Sequence, residues 1–161
     1  MKAEETVDYH IKTGWHAISR MYNAYAARYD MTMAIGYVLL NIDKNGTPAT
    51  KIAPALGLEP RSLTRMLKSL EEKGWIRRVA GGADKRVVNV FLTEEGKRKR
   101  DRARQGVIEF NTLVQQQLSP EQLAAFFETM RTISRVVEQV TSTSFMAEDR
   151  ESILFPELLE G

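Results

Sequence analysis

Apolar and polar positions repeat along this chain with two different periods, and the places where the period changes mark its elements. From about Thr6 to Tyr29, Ile11, Trp15, Ile18, Tyr22, Tyr25 and Tyr29 recur at steps of four and three, the seam of a helix that packs against other helices. A second helix is expected over Met33 to Asp43, with Ile35, Val38, Leu39 and Ile42 on one face and Asn45-Gly46 ending it. Lys51 to Leu70, KIAPALGLEPRSLTRMLKSL, then reads as two short helices joined by a turn. Ala53 and Gly57 occupy the small-residue and turn positions of a helix-turn-helix, with Ile52, Leu56, Leu58, Leu63 and Met66 as the apolar lock. With Thr50 as N-cap, Pro54 falls in the first turn, where its missing N–H has no intrahelical partner.

The second helix of that pair is bounded by Pro60 near its start and Gly74 just past Lys73. Leu63, Met66, Leu67 and Leu70 share its buried face, and the opposite face carries Arg61, Ser62, Thr64, Arg65 and Lys68. A helix fits the major groove of B-DNA, where Arg bonds guanine edges in bidentate fashion and hydroxyls bond bases or phosphates. The bland alternative for the same face is a solvated helix surface.

Downstream the period drops to two. Trp75 to Val79 and Val87 to Leu92 are predicted strands, joined by Ala80-Gly81-Gly82-Ala83-Asp84-Lys85 as the turn of a hairpin. Beside a reading helix such a hairpin is a wing, and Lys85 and Arg86 near its tip suit the phosphate backbone or a narrow minor groove. Thr93 then caps a long helix with Glu94 and Glu95 in its first turn. This helix passes through KRKRDRAR, turns apolar at Val107, Phe110 and Val114, and closes at Leu118. Ser119-Pro120-Glu121-Gln122 is a capping box that opens a last helix, expected to bury Leu123, Phe126, Phe127, Met130, Ile133, Val137 and Val140. That stripe and the aromatic seam of the first helix exceed what a small winged domain covers, so both chain ends are expected to build a homodimer. Beyond Ser144 the tail is acidic with scattered apolar residues.

Charge sharpens this picture more than composition does. The 161 residues, 43% hydrophobic and 27% charged, are ordinary, with a net charge of only +2. From Lys44 to Arg104, however, 16 Lys and Arg stand against 7 Asp and Glu, or +9, while the remainder has 7 against 14, or −7. A positive middle between negative ends is the footprint of a nucleic-acid-binding module. A helical protein binding an acidic partner through the same middle is the alternative from another class. No apolar run approaches a membrane span, and MKAEETVDYH lacks the apolar core of a signal peptide, so a cytoplasmic location is expected.

Catalysis has little to stand on. There is no Cys for a nucleophile, thiolate site or redox switch. His10 and His16 lie about 120° apart around a helix, so they cannot chelate one ion together. Gly81-Gly82 joins two strands and lacks the flanking Lys of a phosphate loop. Neither catalytic residues, nor a metal, nor a cofactor is expected.

From about Thr6 to Val140 the order of parts resembles the MarR family of bacterial transcriptional regulators. The likeness rests on KIAPALGLEPRSLTRMLKSLEEKGWIRR, on DKRVVNVFLTEEG, and on the long flanking helices. Asp-x-Arg followed by an alternating strand and Leu-Thr-x-x-Gly is its most specific part. The resemblance implies a mainly α, α+β fold. Residues 31–104 would form a winged helix-turn-helix with a two-stranded wing, and 1–30 with 105–161 a helical dimerisation region. It implies double-stranded DNA as partner, with Arg61, Ser62, Thr64, Arg65 and Lys68 toward the major groove. Arg86 would enter the minor groove, Asp84 would orient it, and Lys85 would assist. Gly81-Gly82-Ala83 departs from the pattern by supplying no charge at the wing tip. Family members commonly respond to small aromatic or phenolic effectors in a crevice beside the DNA-binding lobe, for which Tyr9, His10, Trp15, His16 and Tyr37 are the candidates here.

Overall fold

The computed structural model describes residues 2–81 and 87–142. After a short 3-10 turn at Ala3–Glu5 the elements are α1 (Val7–Ala27), α2 (Met33–Leu40), β1 (Thr47–Pro48), α3 (Ala49–Ala55), α4 (Pro60–Glu72), β2 (Ile76–Ala80), β3 (Val88–Leu92), α5 (Glu94–Gln117) and α6 (Pro120–Ser142). They divide into two compact units, Lys12–Phe110 and Met1–Ile11 with Asn111–Gly161.

Within Lys12–Phe110 the core gathers Val38, Leu39, Ile42, Ile52, Leu63, Leu67, Leu70, Trp75, Ile76 and Val90. Most of these are the apolar positions that the helical period and the alternation of β3 select, whereas the adjacent Trp75 and Ile76 are both buried and β2 does not alternate; together they tie α2, α3, α4 and the strands. At roughly 1.5–3 kcal/mol for each fully buried aliphatic side chain, this cluster dominates the stability of the unit. Thr32 caps α2 by accepting the Ile35 N–H at 3.2 Å. That helix stops at Leu40, three residues short of the expected Asp43, because Asn41 turns its amide back onto the Tyr37 carbonyl and Asp43 donates its N–H to Thr47 Oγ1. Ile42 is nevertheless buried.

The sheet has three antiparallel strands in the order β1-β3-β2, one more than the expected two-stranded wing. Thr47 pairs with Val90 and Pro48 with Asn89. Pro48 is tolerated because β1 is an edge strand. This pairing moves the start of α3 to Ala49, so Thr50 lies inside the helix and is not its cap, and Pro54 falls in the last turn instead of the first. The hydrogen bond it removes is one that the Thr50 carbonyl would accept, and Thr50 is exposed to solvent.

In the other unit, α6 opens on the expected capping box. The Ser119 N–H donates to Gln122 Oε1 at 2.8 Å and Ser119 Oγ accepts the Gln122 N–H at 3.2 Å. The expectation that α6 buries its apolar face fails within one chain. Phe126, Phe127, Val137 and Val140 are 55%, 48%, 58% and 40% exposed, and only Leu123, Met130 and Ile133 are half-buried. Periodicity identifies which face a helix can bury and says nothing of whether the same chain supplies the cover. Likewise Ile11 and Trp15 of the α1 seam are exposed, while Tyr22 is buried.

Candidate nucleic-acid interface

Two chain reversals set the interface, and both are built the same way. Gly57 (φ 60) and Gly74 (φ 70) take the left-handed backbone just past α3 and α4. After α3, the Leu58 N–H reaches the Ala53 carbonyl and the Gly57 N–H the Pro54 carbonyl. After α4, Trp75 reaches Leu70 and Gly74 reaches Glu71. These are the paired bonds of a Schellman motif, which satisfy helix-end carbonyls and direct the chain away at a defined angle. Ala53, buried at the first turn, leaves room for α4 to cross.

On α4, burial of Leu63, Leu67 and Leu70 turns Arg61, Ser62, Thr64, Arg65 and Lys68 to solvent, as the periodicity implies. Arg61, Arg65 and Lys68, spaced at i, i+4 and i+7, form one cationic stripe. Among the described residues Arg61 and Arg65 have no ion-pair partner. Lys68 meets Glu72 at 3.9 Å with both side chains mostly exposed, an arrangement that holds the cation weakly. The Thr64 hydroxyl donates its proton to the Pro60 carbonyl at 2.9 Å.

The C-terminal end of α4 is locked to the strands. Glu71 accepts the Arg78 N–H at 3.0 Å on one carboxylate oxygen, and Nε and Nη2 of the same arginine at 2.8 and 2.5 Å on the other. These bonds, side chain first and backbone second, hold the Glu71 carboxyl below the usual carboxylate range. The Leu-Thr-x-x-Gly stretch acts at the same corner. Thr93 donates its N–H to the Trp75 carbonyl and its hydroxyl to the Gly74 carbonyl, while its Oγ1 accepts the Gly96 N–H. Gly96 is required by close approach, since a Cβ there would lie 1.9 Å from the Trp75 carbonyl oxygen. Lys73 and Lys99 place their ammonium groups 4.9 and 4.7 Å from the centre of the Trp75 ring, so this corner is both packed and cationic.

In the wing, β2 and β3 pair from Ile76↔Leu92 to Ala80↔Val88, and the Gly81 N–H donates to the Val87 carbonyl. Arg77 lies 4.4 Å from the centre of the Phe91 ring. Asp84, Lys85 and Arg86, expected at the tip, lie outside the described residues. Sequence reasoning missed the partnership of Glu71 and Arg78, because a contact made across a chain reversal leaves no periodic trace.

The candidate effector residues are divided between the two units, Trp15, His16 and Tyr37 in Lys12–Phe110 and Tyr9 and His10 in the other. Tyr37 lines a cleft in the Lys12–Phe110 unit with Tyr22, Tyr25, Gly36, Met33 and Val107, which has about 20 Å3 of open space, room for roughly one water. Burial, then the neighbouring Tyr37, raises the Tyr22 hydroxyl above its ordinary pKa, and burial does the same to Tyr37. Tyr22 and Tyr25 belong to the α1 seam, and their phenols gave no sign in the sequence of facing a cleft. Trp15 and His16 are exposed in the same unit. Tyr9 and His10 belong to the other unit, where a His10 ring nitrogen lies 2.8 Å from the Glu4 carbonyl. Among the described residues no three His, Cys, Asp or Glu converge as a metal-binding set, and no helix is long and apolar enough to cross a membrane.

Comparison with known proteins shows a likeness to one family. Residues 37–88 match the MarR family model. The chain is 35% identical over 83 residues to the HTH-type transcriptional regulator TtmR of Methylorubrum extorquens (strain PA1), a match covering 51% of this chain and 43% of TtmR, so less than half of that relative is spanned. It is 27% identical over 117 residues to the HTH-type transcriptional regulator YhbI of Bacillus subtilis (strain 168), covering 72% of this chain and 76% of YhbI. Among solved structures, a mutant of MarR from E. coli complexed with operator DNA superposes with a TM-score of 0.68 at 26% identity, covering 76% of this chain and 89% of that one. Residues 37–88, which hold the helix pair and β2 described above, carry the MarR-family match, and the relatives are named as transcriptional regulators.

Proposed function

We propose that the chain is a DNA-binding transcriptional regulator that works in the cytoplasm as a homodimer on a pseudo-palindromic operator, repressing until a small aromatic or phenolic effector binds. The observation that carries DNA reading is the α4 face. Its Arg61, Arg65 and Lys68 stripe, flanked by Ser62 and Thr64, stands clear of solvent-excluding neighbours while the opposite face is buried. A MarR protein of the same fold binds operator DNA. On this reading α4 enters the major groove, and Asp84, Lys85 and Arg86 serve the wing as the family pattern assigns them.

The exposed apolar face of α6 supports the homodimer, since large apolar side chains such as Phe126, Phe127 and Val137 are left about half exposed along one helix, the mark of a partner surface. The regions 1–30 and 105–161 would then hold the partner and 31–104 the DNA. Two reading helices set half-sites about one helical turn apart, roughly 10 base pairs. Tyr37 is the effector residue with structural support, because it lines the tyrosine cleft. That cleft must widen to reach the roughly 300 Å3 of an ordinary ligand site. Tyr9, His10, Trp15 and His16 stand on resemblance alone. Selection of bound duplexes from a random pool, followed by gel shifts in rising salt, tests the reading, and sedimentation tests the dimer. Equal affinity for every duplex in the pool at moderate salt refutes sequence-specific regulation.

A further inference from the structure

Not every cation of the reading unit points outward. Arg78 lies on β2, an edge strand in the order β1-β3-β2, opposite Val90. Edge strands leave backbone groups without ladder partners, and here the Arg78 N–H is taken by Glu71 of α4. The same carboxylate also takes the Arg78 guanidinium through two nitrogens. One side chain on α4 therefore grips both the backbone and the charge of a wing residue.

The contrast with Lys68 shows what this does. Lys68 and Glu72 share one contact at 3.9 Å between side chains 73% and 66% exposed, which a phosphate readily displaces. The grip on Arg78 is three charge-assisted hydrogen bonds between side chains only 34% and 37% exposed, a geometry that fixes orientation as well as distance. Among the described residues Arg61 and Arg65 have no ion-pair partner, whereas Arg78 is held.

We propose that Glu71 is a positioning residue for sequence readout: through Arg78 it holds the first wing strand against α4 as one reading unit and keeps that guanidinium off the phosphate backbone. The inference rests on the DNA-reading function proposed above. Without Glu71, the core and the Thr93 bonds still join α4 to the wing, but the mutual angle at which they address the duplex is held less tightly. A freed arginine then adds affinity that carries no sequence information, since phosphate contacts position without specifying.

The test compares a duplex selected by the wild-type protein with a scrambled duplex of equal length and composition, over a salt series, using the full chain. For Glu71→Ala the selected-to-scrambled affinity ratio is expected to fall about tenfold, and the scrambled-duplex slope of log affinity against log salt to steepen by about 0.9. Glu71→Gln, which keeps an acceptor for the Arg78 N–H, recovers part of the ratio and guards against a folding defect. Adding Arg78→Gln to Glu71→Ala returns the slope to wild type and leaves the ratio low. A wild-type ratio and slope in Glu71→Ala overturns the inference, as does an equal loss on both duplexes with the slope unchanged. A wild-type protein that selects no sequence overturns the DNA-reading function and this inference with it.

Discussion

Replacing Gly96 by alanine tests the corner where α4, the wing and α5 meet. In an ordinary helix the change is stabilising by about 1 kcal/mol, because alanine is the better helix former. Here the added methyl would lie 1.9 Å from the Trp75 carbonyl oxygen and 2.9 Å from its carbon, and real Cβ atoms essentially never come within 3.0 Å of such atoms. The two backbones must therefore separate by about 1.1 Å. The obstruction is main chain, so no flexible side chain can move aside. Overpacking of this kind costs about 3 kcal/mol at the upper end of its usual range, and displacing the Trp75 carbonyl weakens its bond from the Thr93 N–H by about another 1 kcal/mol. Against the propensity gain, the net expectation is a loss of about 3 kcal/mol. Gly14→Ala is the control, since nothing lies within 4 Å of a Cβ at that position of α1, and it should stabilise by up to about 1 kcal/mol. Urea unfolding of both variants and the wild type at one protein concentration reads the difference. A Gly96→Ala protein as stable as wild type refutes the close approach of α5 to Trp75.

Arg65→Ala is expected to cost about 1–3 kcal/mol on the selected duplex and to relax preference at one base position, whereas Lys68→Ala weakens all duplexes alike and makes the salt slope shallower by about 1; quantitative gel shifts separate the two. Phe127→Glu should drive the protein toward monomer by placing a charge on the exposed α6 face, and sedimentation equilibrium showing an unchanged dimer contradicts that assignment. Glu71, whose carboxyl is held low by Arg78, contributes stability that is present above the ordinary carboxylate pKa of about 4.5 and is lost as pH falls below it. Glu71→Gln should therefore flatten the acid limb of the melting temperature measured from pH 5 downward, and an identical limb counts against the grip.

How much of this was legible in the sequence depended on the range of each interaction. Thr93 before Glu94 and Glu95, Pro60 and Gly74 around α4, and Ser119 before Gln122 act within a turn, so their spacing announced them. The buried face of α4 was equally plain, because Leu63, Leu67 and Leu70 repeat at the helical period. Thr50 misled because a capping residue type is only a local preference, and the pairing of Thr47 and Pro48 with β3 overrode it. A strand of two residues has no period to detect. Glu71 and Arg78 meet across the Gly74 reversal, and Tyr22, Tyr25 and Tyr37 meet across separate helices, so neither group had a linear signature. Phe126 and Phe127 were legible as an apolar face, but the stripe cannot say whose surface covers it.

On the proposed reading, in which α4 enters the major groove, the bond between the Thr64 hydroxyl and the Pro60 carbonyl bears on the composition of the operator. With its proton already donated, that oxygen has only lone pairs to offer, while Arg61, Arg65 and Lys68 have only protons. The face thus speaks in opposite hydrogen-bond polarities at neighbouring positions. Guanine, with its two major-groove acceptors, suits the arginines, and the exocyclic amino groups of adenine or cytosine suit Thr64. A half-site that sets a guanine beside an amino-bearing base answers both polarities at once, whereas one that offers Thr64 only the acceptor and methyl edge of thymine leaves its oxygen without a match.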